Sequence, residues 1–139
     1  MRSILIALLL FSLGLAGGCN SSGLKVAPVS GTVTLNGKPL PKAHVTFVPK
    51  PGLEAPSSDG TTDANGRYSL IISVTDQAGA AVGEHVVQIT ASQHTQAPDD
   101  DRSYKVVEPV PARYNAESTL QFEVLPGGTK TADFALTAP

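Results

Sequence analysis

Residues 29–49 read VSGTVTLNGKPLPKAHVTFVP. Val29, Val33 and Leu35 alternate with Ser30, Thr32 and Thr34, the period-two pattern of a strand with one buried face. Asn36-Gly37 follows at once. That dipeptide is the strongest short hairpin signal, because both central positions of the turn need positive φ. Beyond it Ala43, Val45 and Phe47 again share one face. The stretch predicts two antiparallel strands joined at Asn36-Gly37, and so a β fold.

The pattern extends along the chain. Residues 50–60, KPGLEAPSSDG, are rich in turn formers without a period and read as a loop. Residues 62–72, TDANGRYSLII, give a second hairpin signal: the Asp63 carboxylate caps the turn and Asn65-Gly66 supply left-handed backbone. Tyr68, Leu70 and Ile72 then begin a strand. Residues 76–85, DQAGAAVGEH, read as a small-residue connection with at most one helical turn, and EHVVQITAS (84–92) as a strand with Val87, Ile89 and Ala91 inward. Residues 92–111 form the longest irregular stretch, rich in acid and proline. In 118–137, Leu120, Phe122 and Val124 alternate before Pro126-Gly127-Gly128, and Ala132, Phe134 and Leu136 alternate after it. About seven short strands with regular turn signals, and no long helical period, predict an all-β sandwich with Greek-key connections.

The N-terminus has a different character. MRSILIALLLFSLGLAGG (1–18) places Arg2 before an apolar run from Ile4 to Leu15 and ends in small residues, the three-part form of a secretory signal peptide. The run is shorter than the roughly 20 residues that span a bilayer. Cys19, the only cysteine, follows directly. AGGC (16–19) resembles the bacterial lipobox, with Ala16 where that motif prefers leucine and Leu15 one place earlier. The resemblance implies that Cys19 receives a lipid and becomes the first residue of the mature chain. The expected organisation is a lipoprotein signal at 1–18, a lipidated end and small polar tether at 19–25, and one sandwich domain at 26–139.

Removing residues 1–18 from 139 leaves 121, enough for one domain with a real core. Arg2 is the one charged residue removed, so nine basic side chains face 12 acidic ones. That balance offers no basic patch for nucleic acid. With Cys19 acylated no disulfide is available, so burial alone must stabilise the domain.

The motifs together resemble carboxypeptidase-regulatory-like domains, which share the transthyretin-like (prealbumin-like) sandwich. The carriers are the Val-x-Gly-x-Val strand at 29–33, the Asn-Gly-Lys-Pro-Leu turn at 36–40 and the Ala-x-Val-x-Phe strand at 43–47. TDANGRYSL (62–70) matches a Thr-Asp-x-x-Gly-x-aromatic signature, and VGEHVVQIT (82–90) a Gly-x-aromatic-x-Val strand in which His85 replaces the aromatic. PARYNAESTLQFEVLPGG (111–128) is similar to the closing segment of small lipoproteins of this type, abundant in planctomycete bacteria. The resemblance covers about 26–137 and implies a fold and an envelope location, with no catalytic residue and no cofactor.

Candidate chemistry is sparse. Asp59, Asp63 and Asn65 suggest the start of a calcium loop, but Ile72 stands where the bidentate acid belongs. Asp99-Asp100-Asp101 reads as a solvated charge run. His44, His85 and His94 are scattered without metal-ligand spacing, and are expected to be exposed and metal-free. No Gly-x-Ser-x-Gly elbow aims a nucleophile. One branch of the transthyretin-like fold hydrolyses a purine-catabolic lactam and ends in Tyr-Arg-Gly-Ser, whereas this chain ends FALTAP. Tyr114 is expected to bury its ring and bond its hydroxyl to backbone, with Arg113 exposed beside Glu117. The resulting expectation is a non-catalytic envelope lipoprotein, held to a membrane facing the periplasm or exterior through Cys19. It would serve as a structural or binding module for an envelope protein or glycan, the alternative being an enzyme or metal-binding protein with a loop-built site.

Overall fold

A computed structural model describes residues 23–96 and 102–139. The signal segment, Cys19 and Asp99–Asp101 lie outside the described residues. The strands, in chain order, are β1 (Val26–Ala27), β2 (Ser30–Leu35), β3 (Lys38–Pro39), β4 (His44–Pro49) and β5 (Ser58–Thr61). Then come β6 (Arg67–Ser69), β7 (Ile71–Ile72), β8 (Gln77–Ala78), β9 (Ala80–Ala81) and β10 (Gly83–Thr90). The remainder are β11 (Gln93–Gln96), β12 (Tyr104–Val107), β13 (Gln121–Val124) and β14 (Phe134–Leu136). One 3₁₀ turn, Ala112–Tyr114, precedes β13.

The protein is an all-β sandwich. One sheet has the order β13-β10-β4-β5-β7-β8, every pairing antiparallel. The other is built on β2, which pairs antiparallel with β3 and β6 and parallel with β14. The alternation read in the sequence is the burial pattern: Val33, Val45, Phe47, Val87, Ile89 and Val124 have no exposed surface. Phe47 of the first sheet meets Phe134 of the second edge-on, ring centres 6.2 Å apart, and Phe122 closes the aromatic cluster. The segments are more numerous and shorter than about seven because the chain changes sheets without looping. Tyr68 pairs with Gly31 in one sheet while Ile71 pairs with Asp59 in the other, so Leu70 alone makes the corner. Its N–H donates to Val29 O at 2.9 Å and its carbonyl accepts from Gly79 N at 2.7 Å.

Several local expectations need correction. Asn36 (φ 51°) and Gly37 (φ 79°) form the expected turn, but it joins β2 only to the two residues of β3. Residues 44–49 leave for the other sheet. Pro39 and Pro41 lack ladder donors, and Lys42 turns the chain at φ 54°. At the second turn only Gly66 has positive φ (74°); Asn65 does not. The Asp63 carboxylate does cap it, accepting from Asn65 N at 2.8 Å and Arg67 N at 2.9 Å. The loop assigned to 50–60 ends in β5, and 76–85 holds β8, β9 and the start of β10 with no helical turn. Within 92–111, β11 and β12 pair as a two-stranded ribbon. Glu108 pins its base, accepting from the N–H groups of Ala91 and Val110 and from the Ser92 hydroxyl.

Candidate functional site

The lipidation residue, Cys19, and the acidic run Asp99–Asp101 lie outside the described residues, so the structure says nothing of either. Of the other sequence candidates, His44 and Asp59 meet at 3.2 Å, while Asp63, His85 and His94 stand apart from them. Asp63 is committed to its own turn, while Asp59 lies on β5 and faces β4. His44 is exposed on β4, and His94 is exposed on β11. Among the described residues, no three His, Cys, Asp or Glu side chains group so as to hold a metal ion.

His85 corrects the expectation of an exposed histidine: it is fully buried, its ring 5.7 Å from Phe47. Its Nδ1 lies 3.1 Å from Gly83 O, so that nitrogen carries the proton and donates. Nε2 is then a bare lone pair without a partner among the described residues. Burial pushes the imidazole pKa below its ordinary value, and the Gly83 carbonyl opposes this only partly. The position accepts a flat ring, which packs tilted against Phe47.

Tyr114 is less buried than expected, though its hydroxyl does meet nearby backbone. It is half-buried at the edge of the core, and its hydroxyl meets Thr137, with Oγ1 at 3.2 Å and the Thr137 N–H donating at 3.3 Å. Arg113 lies over the tyrosine ring, 4.8 Å from its centre, and donates to Thr137 O rather than pairing with Glu117. Hydrogen bonding to Thr137, then to Arg113, holds the Tyr114 phenol down to about 8. The buried tyrosine with a backbone partner is Tyr68, which donates to Ala132 O at 2.6 Å across the sheet edge. Burial, reinforced by the Asp133 charge, raises its pKa well beyond the ordinary phenol range.

One polar cluster was not legible in the sequence. Asp59 accepts from Thr46 Oγ1 and Ser73 Oγ, each at 2.8 Å, and stands 3.2 Å from His44 Nε2. Period-two alternation put His44 and Thr46 on one outward face, but reading 50–60 as loop hid the strand that brings Asp59 opposite Thr46. The carboxylate sits between imidazole and hydroxyl, so His44 is oriented without activating Ser73. A nucleophilic triad needs the histidine in the middle.

Two adjoining concavities lie elsewhere, on the outer face beside β2. A pocket of about 370 Å³ is bordered by Ser30, Thr32, Arg67, Ser69, Lys130 and Asp133. Another of about 400 Å³ shares Ser30, Ser69 and Lys130 with it and extends toward Pro28, Leu70 and Ala78.

No protein-family model matches the chain, and no curated protein matches it. Among solved structures, the chain is similar to a 9R-lipoxygenase from Cyanothece PCC8801, with 20% identity and a TM-score of 0.38 over 83% of this chain. The chain spans only 17% of that enzyme's length. Among the described residues no helix is long and apolar enough to cross a membrane.

Proposed function

We propose that this protein is an exported lipoprotein, anchored through Cys19 and displaying a non-catalytic, transthyretin-like β-sandwich of Greek-key type at the cell envelope. The observation that carries the reading is the single cysteine in AGGC, directly behind a charged, apolar and then small-residue leader. A lone thiol in an exported protein is otherwise exposed to oxidation or pairing between chains. Asn20-Ser21-Ser22-Gly23 then gives a short polar tether to a domain that starts at β1. The sandwich acts as a structural or binding module for an envelope protein or glycan. The order His44–Asp59–Ser73 supports the non-catalytic reading, because among the described residues no hydroxyl hydrogen-bonds to the imidazole. Asn20, rather than aspartate, after the cysteine favours the outer membrane.

Detergent-phase partitioning of the full chain tests the anchor. The native chain partitions into detergent at its mature, acylated mass, and Cys19→Ser either stays unprocessed or enters the aqueous phase. A Cys19→Ser protein that keeps the mature mass and the detergent phase overturns the reading.

A further inference from the structure

The two joined pockets on the outer face of β2 differ in chemistry. In the polar one, Arg67 and Lys130 have no ion-pair partner among the described residues, and the Ser30, Thr32 and Ser69 hydroxyls make no hydrogen bond there either. One carboxylate faces these donors. Asp133 Oδ1 accepts from Thr32 N at 2.8 Å, while its other oxygen is uncommitted among the described residues. Two cations against one anion leave the groove a net cation, with a single acceptor at its rim. The adjoining pocket is mainly apolar, with Pro28, Leu70 and Ala78 on its walls.

The walls are held in place. A Cβ on Gly128 would stand 2.2 Å from Pro28 O, and one on Gly79 would stand 2.2 Å from Ala27 O. Both glycines bring their connections against the β1–β2 backbone more closely than any other residue could. Thr129 N–H donates to Pro28 O and Thr129 O accepts from Ser30 N, each at 2.9 Å, which fixes the Lys130 segment beside β2. The groove is therefore formed before any ligand enters it.

We propose that this groove binds the carboxylate end of an extended peptide whose last residue is small and apolar. The guanidinium of Arg67 takes the carboxylate as a planar fork, Lys130 adds a point charge, and the apolar side chain enters the Pro28–Leu70–Ala78 pocket. The peptide's last N–H finds its acceptor in the free oxygen of Asp133. That same carboxylate repels a dianion such as hydrogen phosphate, which brings two negative charges to the groove's two cations. The assignment rests on the binding-module reading above and gives that module a ligand class.

The test is an amide-resolved NMR titration of the full chain in a neutral detergent. The probes are acetyl-Ala-Val as the free acid, the same dipeptide as its C-terminal amide, and inorganic phosphate. The free acid produces saturable shifts at Ser30, Arg67, Ser69 and Thr129, and the amide binds about tenfold or more weakly, since it loses the charge-assisted bonds. Arg67→Gln and Lys130→Gln, both at exposed positions, keep the native spectrum and each lose most of the affinity. Absence of saturable shifts, equal binding of acid and amide, equal binding of phosphate, or unchanged affinity in both variants overturns the proposal. Cys19→Ser leaves this titration unaltered, so failure of the anchor and failure of the groove are separately visible.

Discussion

Two glycines with nearly the same φ allow a steric cost to be separated from a conformational one. Gly37 has φ 79° with nothing within 4 Å of the place a Cβ would occupy. Gly66 has φ 74°, but its Cβ would lie 2.5 Å from Val33 O and 3.2 Å from Leu40 N. Gly37→Ala therefore costs only the left-handed conformation of a residue with a Cβ, about 1–2 kcal/mol. Gly66→Ala costs that much again and must also push the turn off β2. The displaced contacts are Val33 N–H to Gly66 O at 2.8 Å and Leu40 N–H to Val33 O at 3.0 Å. Losing or stretching both adds roughly 1 kcal/mol each, for a total of about 3–4 kcal/mol. At roughly 4 °C per kcal/mol for a domain of this size, Gly37→Ala melts about 4–8 °C lower and Gly66→Ala about 12–16 °C lower than the native chain. Circular-dichroism melts of both variants, with urea titrations to verify an unchanged m-value, give the comparison. Midpoints within about 2 °C of each other would refute the close approach of the second turn to β2.

Tyr68→Phe deletes the hydroxyl that satisfies Ala132 O and is expected to cost about 1–3 kcal/mol in urea unfolding, because a buried carbonyl is left without a donor. Thr62→Val keeps the shape but removes both the donor to Leu40 O and the acceptor for Ala43 N–H. A similar loss of about 1–3 kcal/mol is expected, and an unchanged urea midpoint would show that the bend at 40–43 holds without it. For His85 the sign follows from its depressed folded pKa: below about pH 6.5 the unfolded chain takes up a proton that the folded chain refuses. Stability is thus full above that pH and falls as the pH drops toward the folded value. His85→Phe should flatten this part of the pH–stability profile, and a profile identical to the native one would place the titration elsewhere. Tyr114, whose phenol is held to about 8, should show its ultraviolet ionisation near that pH, rising toward the ordinary value in Arg113→Gln.

Faces were far more legible than partners. The alternation of Val45 and Phe47, or of Val87 and Ile89, is a local consequence of the pleat and can be read without knowing which strand lies alongside. The partner of β4 depends on Pro39, Pro41 and Lys42 turning the chain out of its hairpin, a tertiary outcome that no period records. The Asp63 cap was legible because its hydrogen bonds span at most four residues. The Asp59 cluster was not, since it needs Thr46 and Ser73 brought in from 13 and 14 residues away. His85 was misplaced for a related reason. Polarity suggested the surface, but the interior of β10 accommodates a neutral ring once Gly83 O accepts the hydrogen bond from its Nδ1–H. The groove beside β2 was illegible altogether, being assembled from segments around residues 30, 67 and 130.

The parallel pairing of β14 with β2 joins Phe134 to Val33, residues separated by nearly the whole domain. No growing chain can make that pair until Phe134, some hundred residues after Val33, has itself emerged. Until then one side of β2 presents free backbone donors and acceptors, in a segment rich in β-branched residues and prone to join a neighbouring chain. Closing so long a loop is also slow, since its entropy must be lost before any contact is gained. A chain cut short before Phe134 would therefore be left permanently adhesive along its first long strand, and its fate would be decided by whatever holds it apart from its copies during synthesis.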